Sequence, residues 1–260
     1  YDIATGKSSD FSGRKSRQMQ AITKDGSLYL IYANGTERLI AERENDQITY
    51  GEYVSRNEFG INGGIFISPD AKKIAFYQKD ESAVTNFPLL DITTRTGTLK
   101  NIKYPMAGRT SHQVKVGIFD AQQSFKQSKC VYHYIQTDLS DGEFLTNVTF
   151  SPDEKYLYIA HLNREQNHSK LIRYEVASGK KMAVLFEETD SRYVEPLTRM
   201  IFLSNGNFIW QSDRDGWNHF YLYDFNGNLI KQLTKGNWPV LEAMGLDTKE
   251  QNLFFMTNKD

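Results

Sequence analysis

Cysteine and an excess of charge of either sign are what this chain lacks, and each shortage removes a class of explanation. A single cysteine, Cys130, makes no internal disulfide and no thiolate-rich metal site. Lys and Arg total 31 against 32 Asp and Glu, a formal net charge of −1. That balance has neither the basic excess that neutralises phosphates nor the basic face of a peripheral membrane protein, so nucleic acid and membrane surfaces are not expected partners. No run approaches the ~20 apolar residues of a membrane-spanning helix. The opening Tyr1-Asp2-Ile3-Ala4-Thr5-Gly6-Lys7 has neither the basic nor the apolar region of an export signal. Catalytic signatures are missing as well. There is no Gly-x-Ser-x-Gly and no phosphate loop, and the five histidines, His112, His133, His161, His168 and His219, show no paired ligand spacing. No metal or other cofactor is expected.

Aromatic residues, by contrast, are plentiful: 15 Tyr, 16 Phe and 3 Trp in 260 residues. They sit in short runs with β-branched residues rather than at helical spacing, which favours strands. The clearest runs are Ser27–Tyr32, Lys73–Tyr77, Lys155–Ala160, Asn207–Gln211 and Asn252–Met256. A turn former precedes each one: Asp25-Gly26, Pro69-Asp70, Pro152-Asp153, Asn205-Gly206 and Asp247-Thr248. Three of the four intervals between these anchors approximate the ~40–50 residue period of a four-stranded propeller blade. The interval from 70 to 153 is nearly twice as long. It holds either two blades, the second with Val114–Phe119 and Val131–Ile135, or one blade with a long insertion. Second hairpins at Arg173–Lys180 and Leu222–Leu229, broken at Ser178-Gly179 and Asn226-Gly227, supply the outer two strands of a blade.

The expected fold is therefore all-β, a β-propeller of four-stranded antiparallel blades, with about five to six blades in the chain. Tyr1–Lys7 matches the outer hairpin at Tyr174–Lys180, while the chain stops after an inner-type strand. Two arrangements follow: circular closure, with terminal strands pairing to complete one blade, or a fragment whose open sheet edge needs a cover. Aromatic and acidic residues at Trp210–His219 fit a glycan or peptide pocket, but blade packing uses the same types; Trp217 and Tyr221 are assigned to packing.

Several segments carry a family resemblance. Arg56-Asn57-Glu58-Phe59-Gly60-Ile61, followed by Gly64–Asp70 and Ala75–Tyr77, resembles the region of the dipeptidyl peptidase IV family that holds its acidic substrate-binding motif. Tyr104-Pro105-Met106-Ala107-Gly108, Phe144–Asn147, Tyr193–Leu197, Asp213–His219 and Gln232–Gly236 follow in the same order, and look most like the bacterial prolyl tripeptidyl aminopeptidase branch. The resemblance implies an eight-bladed N-terminal propeller, here partial over residues 1–260. It also implies a C-terminal α/β-hydrolase domain with the Ser, Asp and His triad, absent from this chain, which by itself is expected to be inactive.

On that resemblance, the chain is the substrate-gating, N-terminus-binding propeller of a proline-specific serine exopeptidase releasing dipeptides or tripeptides. Its implied partners are a peptide with a free N-terminus and the hydrolase domain, with a homodimer left open, and its implied location is the periplasm or cell surface. Glu58 matches the carboxylate that binds the substrate's α-amino group. The family's dipeptidyl type carries adjacent glutamates; Arg56 and Asn57 stand before Glu58 here, which favours the tripeptidyl-like branch. Arg56 and Asn57 are expected to shape the same pocket, Arg56 by pairing with Glu58 or a substrate carbonyl. Arg192 and Tyr193 fall where relatives place substrate-facing residues. Arg109 and His112 belong to an insertion that faces a partner or the other domain. The alternative is a free-standing propeller that binds a protein or glycan without hydrolysis.

Overall fold

Turn chemistry decides where the strands begin. In the computed structural model, which describes residues 20–32, 34–122, 130–138 and 143–259, Asp25 and Gly26 have φ of 49° and 78°. They join β1 (Gln20–Lys24) to β2 (Ser27–Ile31) in a two-residue hairpin, and positive φ at both positions matches the twist of the flanking strands. β3 (Glu37–Ala41) completes this sheet. The match proposed for Tyr1–Lys7 lies outside the described residues.

The second sheet is built from β4 (Ile48–Tyr50), β5 (Ile65–Ile67) and β6 (Lys73–Asp80), then, after a separate hairpin of β7 (Asn86–Asp91) and β8 (Thr98–Lys103), from β9 (Gln113–Asp120) and β10 (Tyr132–Tyr134). This settles the long interval: residues 70–153 hold one blade with an insertion, because Val114–Phe119 pairs directly with β6 and the extra length forms the β7–β8 hairpin. Two four-stranded sheets follow. One comprises β11 (Phe144–Phe150), β12 (Tyr156–Leu162), β13 (His168–Glu175) and β14 (Lys181–Thr189); the next comprises β15 (Ile201–Phe202), β16 (Phe208–Ser212), β17 (His219–Tyr223) and β18 (Leu229–Gln232). β19 (Val240–Leu246) and β20 (Leu253–Thr257) pair as the last sheet. Every pairing is antiparallel, and between chain neighbours except for β4 with β6 and β6 with β9; the five consecutive sheets are blades of a β-propeller. Among the described residues no helix is long and apolar enough to cross a membrane.

Successive blades pack face to face, so the second strand of a blade is buried on both sides. On β6, Ile74 and Phe76 join Leu28, Leu30 and Tyr50 toward the first sheet, whereas Ala75 and Tyr77 join Leu145, Leu157 and Ile159 toward the third. On β12 the alternation repeats, with Tyr158 and Ala160 turned to Phe208, Trp210 and Tyr223 of the fourth sheet. Side chains two apart share a face, and burial on both faces explains why these strands read as continuous apolar runs.

The Ser-Pro-Asp turns also fasten neighbouring blades. Ser151 N donates to Tyr156 O (2.9 Å) while its Oγ accepts from Tyr156 N (3.0 Å), and Ser68 does the same with Lys73. At the left-handed corner of the third blade's turn, Glu154 (φ 57°) reaches back to the second blade's turn. Its carboxylate accepts from Asp70 N (2.7 Å) and from Lys73 Nζ (3.2 Å) with only 6% of the side chain exposed. Burial opposes its ionisation, but the bonds from Ser68, Asp70 and Lys73 prevail and hold the carboxyl below its usual range. Glu250 makes the equivalent contact from the fifth blade to the amide of Ser204.

Glu154→Ala should therefore cost about 2–4 kcal/mol, since it leaves a buried amide and an ammonium unpaired; urea denaturation at pH 7 measures it. Because the folded carboxyl ionises more readily than the unfolded one, the contribution is complete above the ordinary glutamate range and disappears as pH falls through the folded value. The gap between wild type and variant should accordingly narrow toward pH 3.

Candidate functional site

A break in one strand creates the site. β4 pairs with β6 at Gln78–Asp80 and β5 pairs with the same strand at Ile74–Phe76, which leaves Tyr77 between them. Gly51 N donates to Tyr77 O (2.8 Å), and Tyr77 N donates to Gly64 O (2.9 Å). The peptide groups of Tyr77 thus hold both ends of an interrupted strand, and the chain between them leaves the sheet. A Cβ on Gly64 would lie 1.9 Å from the Glu52 carbonyl oxygen, so only glycine lets the loop's two stems pass this closely.

Within the excursion, Ser55, Arg56 and Asn57 have φ of 52°, 54° and 62°, a left-handed turn without glycine. Each such residue costs roughly 1–2 kcal/mol, and strain of this kind persists only where the surroundings enforce it. Val54 and Phe59 are buried on either side. Phe59 packs against Phe144 with tilted rings and centroids 4.7 Å apart, and its carbonyl accepts from the Thr146 hydroxyl. Gly60 abuts the Leu197 carbonyl, where a Cβ would again fall at 1.9 Å. Ser55 N donates to Nε2 of His112 across 3.4 Å.

Glu58, directly after the turn, borders a cavity of about 440 Å³ together with Arg56, Lys79, Tyr104, His112 and Arg164. The other acid of the wall, Glu81, is neutralised by Lys79, which also pairs with Glu52. Among the described residues no hydrogen bond or ion pair engages the Glu58 carboxylate. Arg56 does not pair with it, contrary to one expectation; its guanidinium lies over the Tyr104 ring at 4.4 Å, where the π face attracts it and the left-handed backbone carries it away from Glu58. The Arg164 guanidinium donates to the Arg109 carbonyl and Lys103 Nζ to the Val84 carbonyl.

The remaining expected site residues are placed differently. Asn57 is exposed and does not border the cavity, and neither do Arg192 and Tyr193. Arg192 is exposed beside Asp190 (3.7 Å), and Tyr193 is half-exposed. Their segment is nonetheless fastened to the site. Val194 N donates to Gln166 O (2.7 Å), Gln166 borders the cavity, and Asn147 donates to Pro196 O (2.6 Å). His112 borders the cavity and accepts from the Ser55 amide. Trp217 is 42% exposed and does not serve as blade packing, whereas Tyr221 is buried in the core. Trp210 and His219 are buried and internally bonded, Trp210 to Glu188 and His219 to Thr234 and Gly236, so these two side chains serve blade packing. Lys79, Glu81, Phe144 and Arg164 escaped sequence reasoning because three separate blade segments bring them together and no local spacing marks them.

The propeller wall thus carries, at the cavity, a carboxylate with no partner among the described residues, and comparison places the chain in a family. Residues 8–260 match the model of the dipeptidyl peptidase IV (DPP IV) N-terminal region. The chain belongs to that family. It is 25% identical over 252 residues to dipeptidyl peptidase 4 of Trichophyton tonsurans and equally to that of Trichophyton rubrum, covering 92% of this chain and 32% of each relative. The chain thus spans about a third of the curated relatives' length. A dipeptidyl aminopeptidase IV candidate of Bacteroides ovatus superposes with a TM-score of 0.76 at 34% identity, covering 93% of this chain and 41% of that one. Dipeptidyl peptidase 4 of Porphyromonas gingivalis shares the fold, with a TM-score of 0.79 at 23% identity over 93% of this chain and 34% of that one.

Burial, and then the nearby Lys79, lower the pKa of His112 to about 4, and burial does the same for His161 beside Lys181 and Lys170. A histidine with a depressed folded pKa favours folding fully above its unfolded value near 6.5 and loses that advantage as pH falls toward 4. Unfolding free energy should therefore fall by about 3 kcal/mol per histidine between pH 6.5 and 4. His161→Phe should flatten the slope in a pH series of urea titrations.

Proposed function

We propose that this chain is the substrate-gating propeller of a serine exopeptidase, in which Glu58 binds the free α-amino group of a peptide. The reading is supported by one observation above all: a carboxylate with no partner among the described residues, set on a strained and buttressed turn at the edge of a cavity. An α-amino group has a reference pKa of about 7.7–8.0 and is largely protonated near neutral pH. The Glu58 carboxylate then accepts a charge-assisted hydrogen bond worth about 1.5–3 kcal/mol. Anchored at that end, a peptide presents a set number of residues to a hydrolase domain of the same protein, which makes the propeller a ruler as well as a gate. A lone glutamate preceded by Arg56 and Asn57 favours release of tripeptides over dipeptides.

In the full-length protein, Glu58→Gln should lower kcat/KM for free-N-terminus peptides by about 10- to 100-fold, chiefly through KM, and spare N-acetylated chromogenic esters. Equal losses on both substrates would refute the amine anchor. Mass analysis of the released peptides reads the length of the ruler. A full-length protein that binds such peptides without hydrolysing them would mark the free-standing alternative instead.

A further inference from the structure

We propose that His112 is a positioning residue for Glu58: by accepting the Ser55 amide, it holds the left-handed turn that places the carboxylate at the cavity. The inference rests on the reading of Glu58 as the amine anchor. Two of the turn's hydrogen bonds, Asn57 N to Val54 O (3.3 Å) and Glu58 N to Ser55 O (3.0 Å), are local to it. They close the turn but do not say where it sits. Its position comes from outside, from the core around Val54 and Phe59, from Leu197 against Gly60, and from the segment that leads from β8 into β9. Tyr104 lies beneath the Arg56 guanidinium, and His112 Nε2 takes the Ser55 amide at 3.4 Å. Ser55 is buried, and among the described residues its amide has no other acceptor. A buried amide without a partner is costly, so the turn is drawn to wherever an acceptor waits. Because the amide donates, Nε2 carries no proton, and the imidazole acts as a neutral acceptor. His112 does not need to touch substrate; it acts through the backbone three residues before Glu58.

The test uses the full-length protein with His112→Ala, with His112→Gln, whose side-chain oxygen restores an acceptor, and with Glu58→Gln as reference. His112→Ala should raise KM for a free-N-terminus peptide about tenfold while kcat stays within about twofold and the N-acetylated substrate is unaffected. It should also speed amide hydrogen exchange across residues 54–58, and His112→Gln should reverse both changes. If His112→Ala is too unstable to purify, His112→Leu, of similar volume and without an acceptor, replaces it. Unchanged exchange, equal losses on both substrates, or a His112→Gln variant that behaves like His112→Ala would overturn the assignment. Should Glu58→Gln leave the preference for free amines intact, the anchor reading fails, and the exchange measurement alone decides whether His112 holds the turn.

Discussion

Two hydrogen bonds on one peptide unit carry the site. Tyr77 accepts from Gly51 and donates to Gly64, so the first strand of the second blade continues in register across a gap from which a whole loop has been extruded. Without that closure the loop would end in unpaired backbone inside the sheet, which is costly where water is excluded. With it, the blade keeps its ladder and still presents an irregular segment beside a cavity. Tyr77 is well suited to the place: its ring is buried between blades and its hydroxyl donates to the Leu145 carbonyl at 2.7 Å. The strand that carries the closure is thereby tied to the next blade.

The extruded segment is strained, and the strain is contained by its neighbours. Three consecutive left-handed residues persist because Val54 and Phe59 are sunk in the core at either flank, Gly60 rests against the 194–197 segment, and Tyr104 and His112 meet the turn from the insertion side. Among the described residues the same surroundings leave Glu58 without a partner while every other charged group discussed at the cavity has one. The backbone at Glu58 is held in place while its exposed side chain stays unengaged, so a ligand meets an available charge on a set stem.

Blade packing and site formation are not separate features. The alternation that sends Phe76 to one neighbour and Tyr77 to the other sets the distance between blades, and the cavity lies where the second and third blades meet, with Phe144, Arg164 and Gln166 contributed by the third. Glu154 and Glu250 repeat one latch at two blade junctions, each reaching from a left-handed turn to an amide of the preceding blade's turn. At the other junctions the equivalent turn positions are Ala71 and Gly206, which have no side chain able to reach.

What was legible in the residues is what short-range physics governs. Asp25-Gly26, the two Ser-Pro-Asp turns and Asn205-Gly206 take conformations fixed by local sterics, and the apolar runs after them are strands because both of their faces are buried. Glu58 stood out through its surrounding motif alone. The tertiary structure decided the rest: that residues 70–153 are one blade with an inserted hairpin, that Arg56 lies on Tyr104 instead of pairing with Glu58, that Trp217 is exposed, and that His112 reaches Ser55. Each of these depends on which distant segments become neighbours once the sheets stack. Strand pairing and inter-blade contacts join residues far apart in the chain, and no local pattern encodes that meeting.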